Sequence, residues 1–125
     1  MNFQPTDEQR LWKQTVHDFC ATEIKPHASE MDSQSSLNLT AIHKMGPLGL
    51  LGLTVPEEFG GASVDAVSSA MAIEELGWAC GGTALSVAAH NGLACAPIAM
   101  FGSHVQKESW LPGLANGESG LGALA

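Results

Sequence analysis

The sequence predicts an all-α fold of about five to six helices in an orthogonal or bundle-like arrangement. Residues 6–9 have the pattern of a capping box, in which the Thr6 and Gln9 side chains each accept from the other residue's backbone amide. Apolar residues then recur at three- and four-residue spacing, which is the period of an amphipathic helix. Residues 77–103 contain no Asp, Glu, Lys or Arg. Their Ala, Leu and Val content is typical of a buried central helix.

The first helix is expected to follow the Thr6 cap and to end at residues 23–25. Proline lacks the backbone N–H and disfavours helical geometry in the residue before it, so Pro26 should end or kink the helix. A further turn or two is expected from Ala28. Asp7 and Glu8 add negative charge at the positive end of the helix dipole.

A short second helix is expected from Leu39 or Thr40 to Met45, with Asn38 or Thr40 as its cap. The Gly46-Pro47 step should stop it.

An irregular packed connection is expected at residues 48–55, since this apolar run contains two glycines and ends at a proline. Residues 57–61 should form a tight turn. The Gly60-Gly61 pair permits positive φ there, while Phe59 turns inward.

Asp65 is a suitable cap for a helix over residues 66–79. Gly81-Gly82 should separate that helix from the central helix, residues 83–101. Pro97 should kink the central helix or force one turn into irregular geometry.

The end of the chain should contain one more short helix, from residue 104 to about 111, capped by Ser103. Gly102 suits the C-terminus of the central helix, and Asn116-Gly117 should form a turn. Residues 119–125 then begin an apolar run that has no partner in the sequence.

Two environments suit a helix that is apolar on most sides, namely a protein core and a membrane. A membrane span needs about 20 strongly apolar residues. Here glycines, Pro97 and the pair His90-Asn91 interrupt the run, and much of its apolar content is Ala. We therefore expect a core helix and no membrane span.

The composition excludes some classes of partner and compartment. The net charge of −8 argues against nucleic acid, because phosphates need a Lys/Arg surface. Three cysteines without a CxxC motif suggest reduced thiols and an intracellular protein. The first ten residues have neither the pattern of a signal peptide nor that of a transit peptide.

Two sets of residues contain side chains suited to a metal site or to a general base. His17 and Cys20 lie at i, i+3 spacing with His27 nearby, but zinc needs four ligands, or three and a water, so we expect no metal site. Glu57-Glu58 and Glu74-Glu75 are assigned to a turn and to a partly solvated helix, so we expect no general base among them.

The ordered motifs resemble the N-terminal helical domain of the acyl-CoA dehydrogenases. They cover nearly the whole chain and comprise Thr6 with residues 8–10, Glu23-Ile24 with Pro26, residues 49–52, 55–61, 74–76, 101–103, 106–107, 111–112 and 117–118. One departure is Gly77-Trp78, where the family often carries Ala-Arg, which implies that an ion pair inside the helical domain is lost.

The resemblance implies a two-part chain and a flavin-dependent parent enzyme. Residues 1–118 would be the helical domain, and residues 119–125 would start the first β-strand of a barrel domain that the chain lacks. In the family reaction a carboxylate removes the α proton of an acyl-CoA and the flavin of FAD accepts the β hydride. The catalytic base and the FAD site would both lie outside these residues.

The resemblance also implies substrate-binding residues and partners. Ser86, Ala89, His90 and Leu93 would shape the far end of the acyl pocket. The alternative for His90-Asn91 is a hydrogen-bonded pair that satisfies the helix break near Gly92. The full-length protein would be a homotetramer, cytoplasmic in a bacterium or located in a mitochondrial-type matrix. Alone, the chain should expose apolar surface and bind no flavin tightly. The alternative is a truncated, stand-alone helical interaction module without flavin or catalysis.

Overall fold

The computed structural model describes Met1 and residues 3–125. Its helices are α1 (Asp7–Glu23), α2 (Ala28–Ser33), α3 (Leu39–Met45), α4 (Ala66–Ala79), α5 (Gly81–Ala89), α6 (Ala96–Phe101) and α7 (His104–Asn116). A π-helical turn, His90–Cys95, joins α5 to α6 in one continuous central helix. With that joining there are six helices among the described residues and no strand, so the predicted all-α fold is confirmed.

Four of the predicted helix starts are confirmed by the hydrogen bonds of their caps. Thr6 Oγ1 accepts from the Gln9 amide at 3.1 Å, and Gln9 Oε1 accepts from the Thr6 amide at 3.0 Å. Asn38 caps α3, and Asp65 caps α4 by accepting from two amides. Ser103 forms a second capping box at α7. These side chains satisfy amides that a helix leaves unbonded in its first turn.

Two predicted helix boundaries are wrong, one at the start of the central helix and one at the end of the last helix. The central helix begins at Gly81, because Cys80 is extended and is itself the residue before the helix. The last helix continues past residue 111 and through Pro112 to Asn116. Leu111 and Ala115, one turn apart, are both buried in the same apolar cluster, and that burial favours continuing the helix past the proline.

The irregular turn expected near Pro97 is present. The π-helical turn ends two residues before Pro97, whose nitrogen carries no hydrogen for a bond to the Leu93 carbonyl. A wider turn at this point places both His90 and Asn91 in the interior, at 0% and 4% exposure.

The turn at residues 57–61 forms as expected, but its two glycines serve different purposes. Gly60 has φ of 84°, which a glycine adopts without strain. Gly61 does not have positive φ; a side chain there would overlap the Val55 carbonyl. Phe59 is buried, as predicted.

The core consists of two apolar clusters, and the central helix contributes residues to both. The larger one packs α1 against α4 and includes Val87 of the central helix. The smaller one includes Cys95 of the central helix and Leu111 of α7. The His90–Cys95 turn also buries His90, Asn91 and Ala94.

The central helix is buried on one side only. Leu85, Leu93 and Met100 are 72%, 50% and 70% exposed. Their spacing places them, with partly buried Ala89, on one side of the helix, which we call the open face. The expected exposed apolar surface is therefore present on this side of the helix.

The central helix is also long and apolar enough to cross a membrane, but the core helices of soluble proteins share these two properties.

Candidate functional site

The open face holds two of the four residues predicted to contact substrate, and a third lies beside it. Ala89 and Leu93 lie on it, and Ser86 lies beside it and is partly exposed. The Ser86 hydroxyl donates to the Gly82 carbonyl at 2.9 Å, so it already has a partner within its own helix. These side chains are small or aliphatic, and the surface they form suits an apolar chain better than a charged group.

His90, the fourth predicted residue, faces the interior and is fully buried. Its Nε2 lies 2.8 Å from the Leu51 carbonyl oxygen, and its Nδ1 lies 2.8 Å from the Gly122 amide nitrogen. A carbonyl needs a donor and an amide needs an acceptor, so the ring is neutral with its hydrogen on Nε2. The structure thus separates His90 from the other three candidates.

Asn91 holds the connection between α3 and α4 against the central helix. Its Oδ1 accepts from the Leu53 amide at 2.9 Å, and its Nδ2 donates to the carbonyls of Leu50 and Val87 at 2.9 and 3.1 Å. The Thr54 hydroxyl donates to the Asn91 carbonyl at 3.2 Å. One side chain therefore satisfies three buried backbone groups.

Burial sets the electrostatics of this region. It lowers the pKa of His90 below its usual 6.5, although the carbonyls of Leu51 and Leu114 oppose that change. It raises the pKa of the neighbouring Cys95 thiol to about 11. The thiol sulfur lies 3.4 Å from His90 Nε2, and both groups are uncharged at neutral pH.

The residues that sequence reasoning missed are the backbone partners of this pair. Leu51 lies 39 residues before His90 and Gly122 lies 32 residues after it. The signal available in the sequence is a His-Asn pair inside a helix without charged residues. Such a pair must find hydrogen-bond partners when buried, but its spacing does not say which ones.

The other candidate groups pair with each other rather than around a metal. His17 Nδ1 lies 2.7 Å from Glu75 Oε2, and Lys13 Nζ lies 2.7 Å from Glu74 Oε2. Glu75 is only 7% exposed, against the expectation that it lies on a partly solvated surface. The described residues contain no group of three or more metal-ligating side chains.

Trp78 takes part in ring and cation contacts at the position where the resemblance suggested a lost ion pair. The His17 ring centroid lies 4.4 Å from that of Trp78, and Lys25 Nζ lies 3.5 Å from the indole centroid. A cation over an indole face is attracted to it, so this contact supplies part of what an ion pair would.

A cavity of about 610 Å³ lies between the start of α1 and the segment before α4. Three carboxylates line it, those of Glu8, Glu57 and Asp65, together with Trp12, and no Lys or Arg is among its lining residues. The Asp65 carboxylate has a lowered pKa because Ser68 and the α4 amides donate to it. Negative charge here repels the phosphates of a dinucleotide, so this cavity does not fit one.

Comparison with known proteins identifies the family. Residues 6–118 match the family described as "Acyl-CoA dehydrogenase, N-terminal domain". A probable acyl-CoA dehydrogenase of Bacillus subtilis is 44% identical over 117 residues, which are 94% of this chain and 31% of that protein. The human mitochondrial short-chain specific acyl-CoA dehydrogenase is 38% identical over 95% of this chain and 29% of its own length.

A solved structure shows the same backbone arrangement. The Bacillus anthracis acyl-CoA dehydrogenase complexed with FAD has a TM-score of 0.85 and 37% sequence identity, over 92% of this chain and 20% of that one. The chain spans about a third of the length of the curated relatives just described. The match over residues 6–118, with the shared helical fold, shows that this chain belongs to the acyl-CoA dehydrogenase family, where it corresponds to the N-terminal domain.

Proposed function

We propose that these residues act as the N-terminal helical domain of a flavin-dependent dehydrogenase that introduces an α,β double bond into acyl-CoA thioesters. Within that enzyme they form one wall of the acyl pocket. The open face is the observation that carries this proposal, because it is an apolar surface that the chain's own helices leave exposed.

Ser86, Ala89 and Leu93 are the residues we propose along the acyl chain. Ala89 leaves space, and Leu93, half exposed, limits how deeply an apolar chain extends. His90 is buried behind this surface and would influence the pocket only through the backbone it holds.

The cavity between the start of α1 and the segment before α4 does not fit FAD. It is lined by carboxylates, which disfavour a pyrophosphate. We derive no catalytic step through the flavin and assign no catalytic base within the chain. The flavin and the base would be supplied elsewhere in the enzyme, with residues 1–118 as the helical domain and residues 119–125 leading into a β-domain. Isolated residues 1–125 are then expected to retain no flavin through gel filtration.

The proposed enzyme is a homotetramer located in a bacterial cytoplasm or a mitochondrial-type matrix. The location is supported by the human relative, which is named as mitochondrial, and by the Bacillus subtilis relative, which is a bacterial protein.

The test starts from the protein as its native cells make it. Its intact mass, its flavin content and the bleaching of that flavin by a series of acyl-CoA thioesters would be measured. We expect one flavin per polypeptide and bleaching by at least one thioester. A flavoprotein that no acyl-CoA bleaches would contradict the proposal. So would a polypeptide near 13.0 kDa that lacks both flavin and a co-purifying chain, and this result would favour the stand-alone interaction module.

The pocket assignment has its own test in the active enzyme. Leu93→Ala should extend the range of acyl chains accepted toward longer ones, because it removes the side chain that limits depth. Leu39→Ala is the matched control, since Leu39 is also an exposed leucine but lies on α3. An unchanged chain-length profile in Leu93→Ala would remove Leu93 from the pocket.

A further inference from the structure

Residues 119–125, the tail segment, lie against the π-helical turn and α7. Near its start the Ser119 amide donates to the Gly113 carbonyl at 2.9 Å, and the Gly120 amide donates to the Gly117 carbonyl at 3.1 Å. Further along, the Gly122 amide donates to His90 Nδ1 at 2.8 Å. The first two bonds are local to the end of α7, whereas the third ties the tail to the central helix.

The seat for Gly122 fits its backbone closely. A Cβ placed on Gly122 would lie 2.5 Å from the Ala94 Cβ and 3.4 Å from a Leu114 methyl carbon. Real Cβ contacts are longer than the first of these distances, so a side chain at 122 would displace the tail. The amide of Gly122 reaches His90 because glycine permits this approach.

The hydrogen bonds on the two ring nitrogens depend on one another. Gly122 N–H donates to Nδ1, and Nε2–H donates to the Leu51 carbonyl. A cationic ring carries a hydrogen on both nitrogens and keeps the Leu51 bond, but it sets two donors against each other at Gly122. The Leu114 carbonyl, which also interacts with the ring, then favours the charged form.

We propose that His90 is a positioning residue that seats the tail segment on the π-helical turn through the Gly122 amide, and that protonation of the ring releases this seat. The course of the chain from Gly122 onward is then set by the protonation state of one buried histidine. This inference does not rest on the proposed dehydrogenase function, because it concerns only contacts within residues 1–125.

No other titratable group near the ring changes its charge at neutral pH, so the charge of His90 itself controls the bond to Gly122. On the central helix the titratable neighbour is Cys95, whose pKa of about 11 keeps it neutral. The α3–α4 connection presents the Leu51 carbonyl, and α7 presents the Leu114 carbonyl. Among the described residues, no charged side chain contributes to the shifted pKa of His90.

Amide hydrogen exchange and ring ¹⁵N shifts, measured by NMR on the 125-residue chain as pH is lowered from 7.5, would test the proposal. At the start, the ring shifts should show the hydrogen on Nε2. As His90 becomes cationic, protection of the Gly122 amide should fall roughly tenfold, the worth of one net hydrogen bond. The Ser119 amide, bonded to a carbonyl in the same tail, should keep its protection.

Three results would overturn the proposal. They are a hydrogen on Nδ1 at neutral pH, Gly122 protection that persists with a cationic ring, and loss of protection at Gly122 and Ser119 together.

Variants provide a second, independent test at constant pH. Gly122→Ala should lower the protection of the residue-122 amide and leave that of Ser119 unchanged, because the added methyl group meets Ala94. Combining Gly122→Ala with Ala94→Gly removes the Ala94 methyl group that the new side chain would meet. The double variant should therefore regain protection of the residue-122 amide. If the residue-122 amide of the double variant exchanges as fast as that of Gly122→Ala, the close contact between residues 122 and 94 would be contradicted.

Discussion

Asn91 has the largest number of buried hydrogen bonds to backbone among the side chains of the central helix described above. Asn91→Ala should lower the free energy of unfolding by about 3 kcal/mol, because it leaves buried groups of Leu50 and Leu53 without partners at about 1–3 kcal/mol each. Urea denaturation measures this. Asn116→Ala is the matched control, since Asn116 makes an exposed bond to the Glu118 amide and should cost under about 1 kcal/mol. Similar losses in both variants would contradict the assigned role.

His90 should make folding stability depend on pH in the acid range. Its pKa is lowered in the folded state, so the unfolded chain binds the proton more readily. The contribution of the neutral ring is complete above the usual value of 6.5 and is lost as pH falls from there through the folded pKa. His90→Leu should flatten the stability profile between pH 7 and 5, as measured by urea denaturation at each pH. His43→Leu, at an exposed histidine, should keep the wild-type slope.

A glycine in a turn and a glycine in a helix contribute differently to stability, and a matched pair of substitutions separates the two effects. Gly61→Ala should destabilise the protein by about 2 kcal/mol, because its methyl group would overlap the Val55 carbonyl and the backbone must move. Gly82→Ala should stabilise it by about 0.5–1 kcal/mol, since nothing lies within 4 Å of the new Cβ and alanine favours a helix. Thermal denaturation measures both. A stabilising Gly61→Ala would show that the turn relaxes freely.

At the scale of the whole molecule, the open face should make the isolated chain self-associate. Leu93→Glu should shift sedimentation toward monomer at concentrations where the wild type forms larger species, because it places a charge within exposed apolar surface. Leu39→Glu adds the same charge at an exposed leucine on α3 and should leave association unchanged. Equal effects from both would show that net charge, and not the open face, controls association.

The same face relates the fold to the proposed function. Leu85, Leu93 and Met100 remain exposed although the chain has two apolar clusters in which to bury them. In the proposed enzyme, substrate and the remaining domains would cover this surface. The net charge of −8 keeps nucleic acid an improbable partner for the rest of the surface.

The sequence by itself determined the features that depend on neighbours along the chain. Helix caps were identifiable because a cap bonds to amides two or three residues away. The caps are Thr6, Asn38, Asp65 and Ser103. The all-α class and the family motifs could be predicted because they too depend on residues that are close in sequence. The substrate residues Ser86, Ala89 and Leu93 came only from the resemblance, and their role stays a prediction.

Only the tertiary structure decided the features that depend on distant partners. Helix α7 continues through Pro112 with Leu111 and Ala115 buried together, and a local rule for proline cannot anticipate that burial. His90 was predicted to face substrate, yet it bonds inward to Leu51 and Gly122, more than 30 residues away on either side. Hydrophobicity and spacing indicate that such a side chain is buried near a helix break. Which carbonyl and which amide it meets depends on the packing of the whole chain, because contacts between distant residues form only in the folded state.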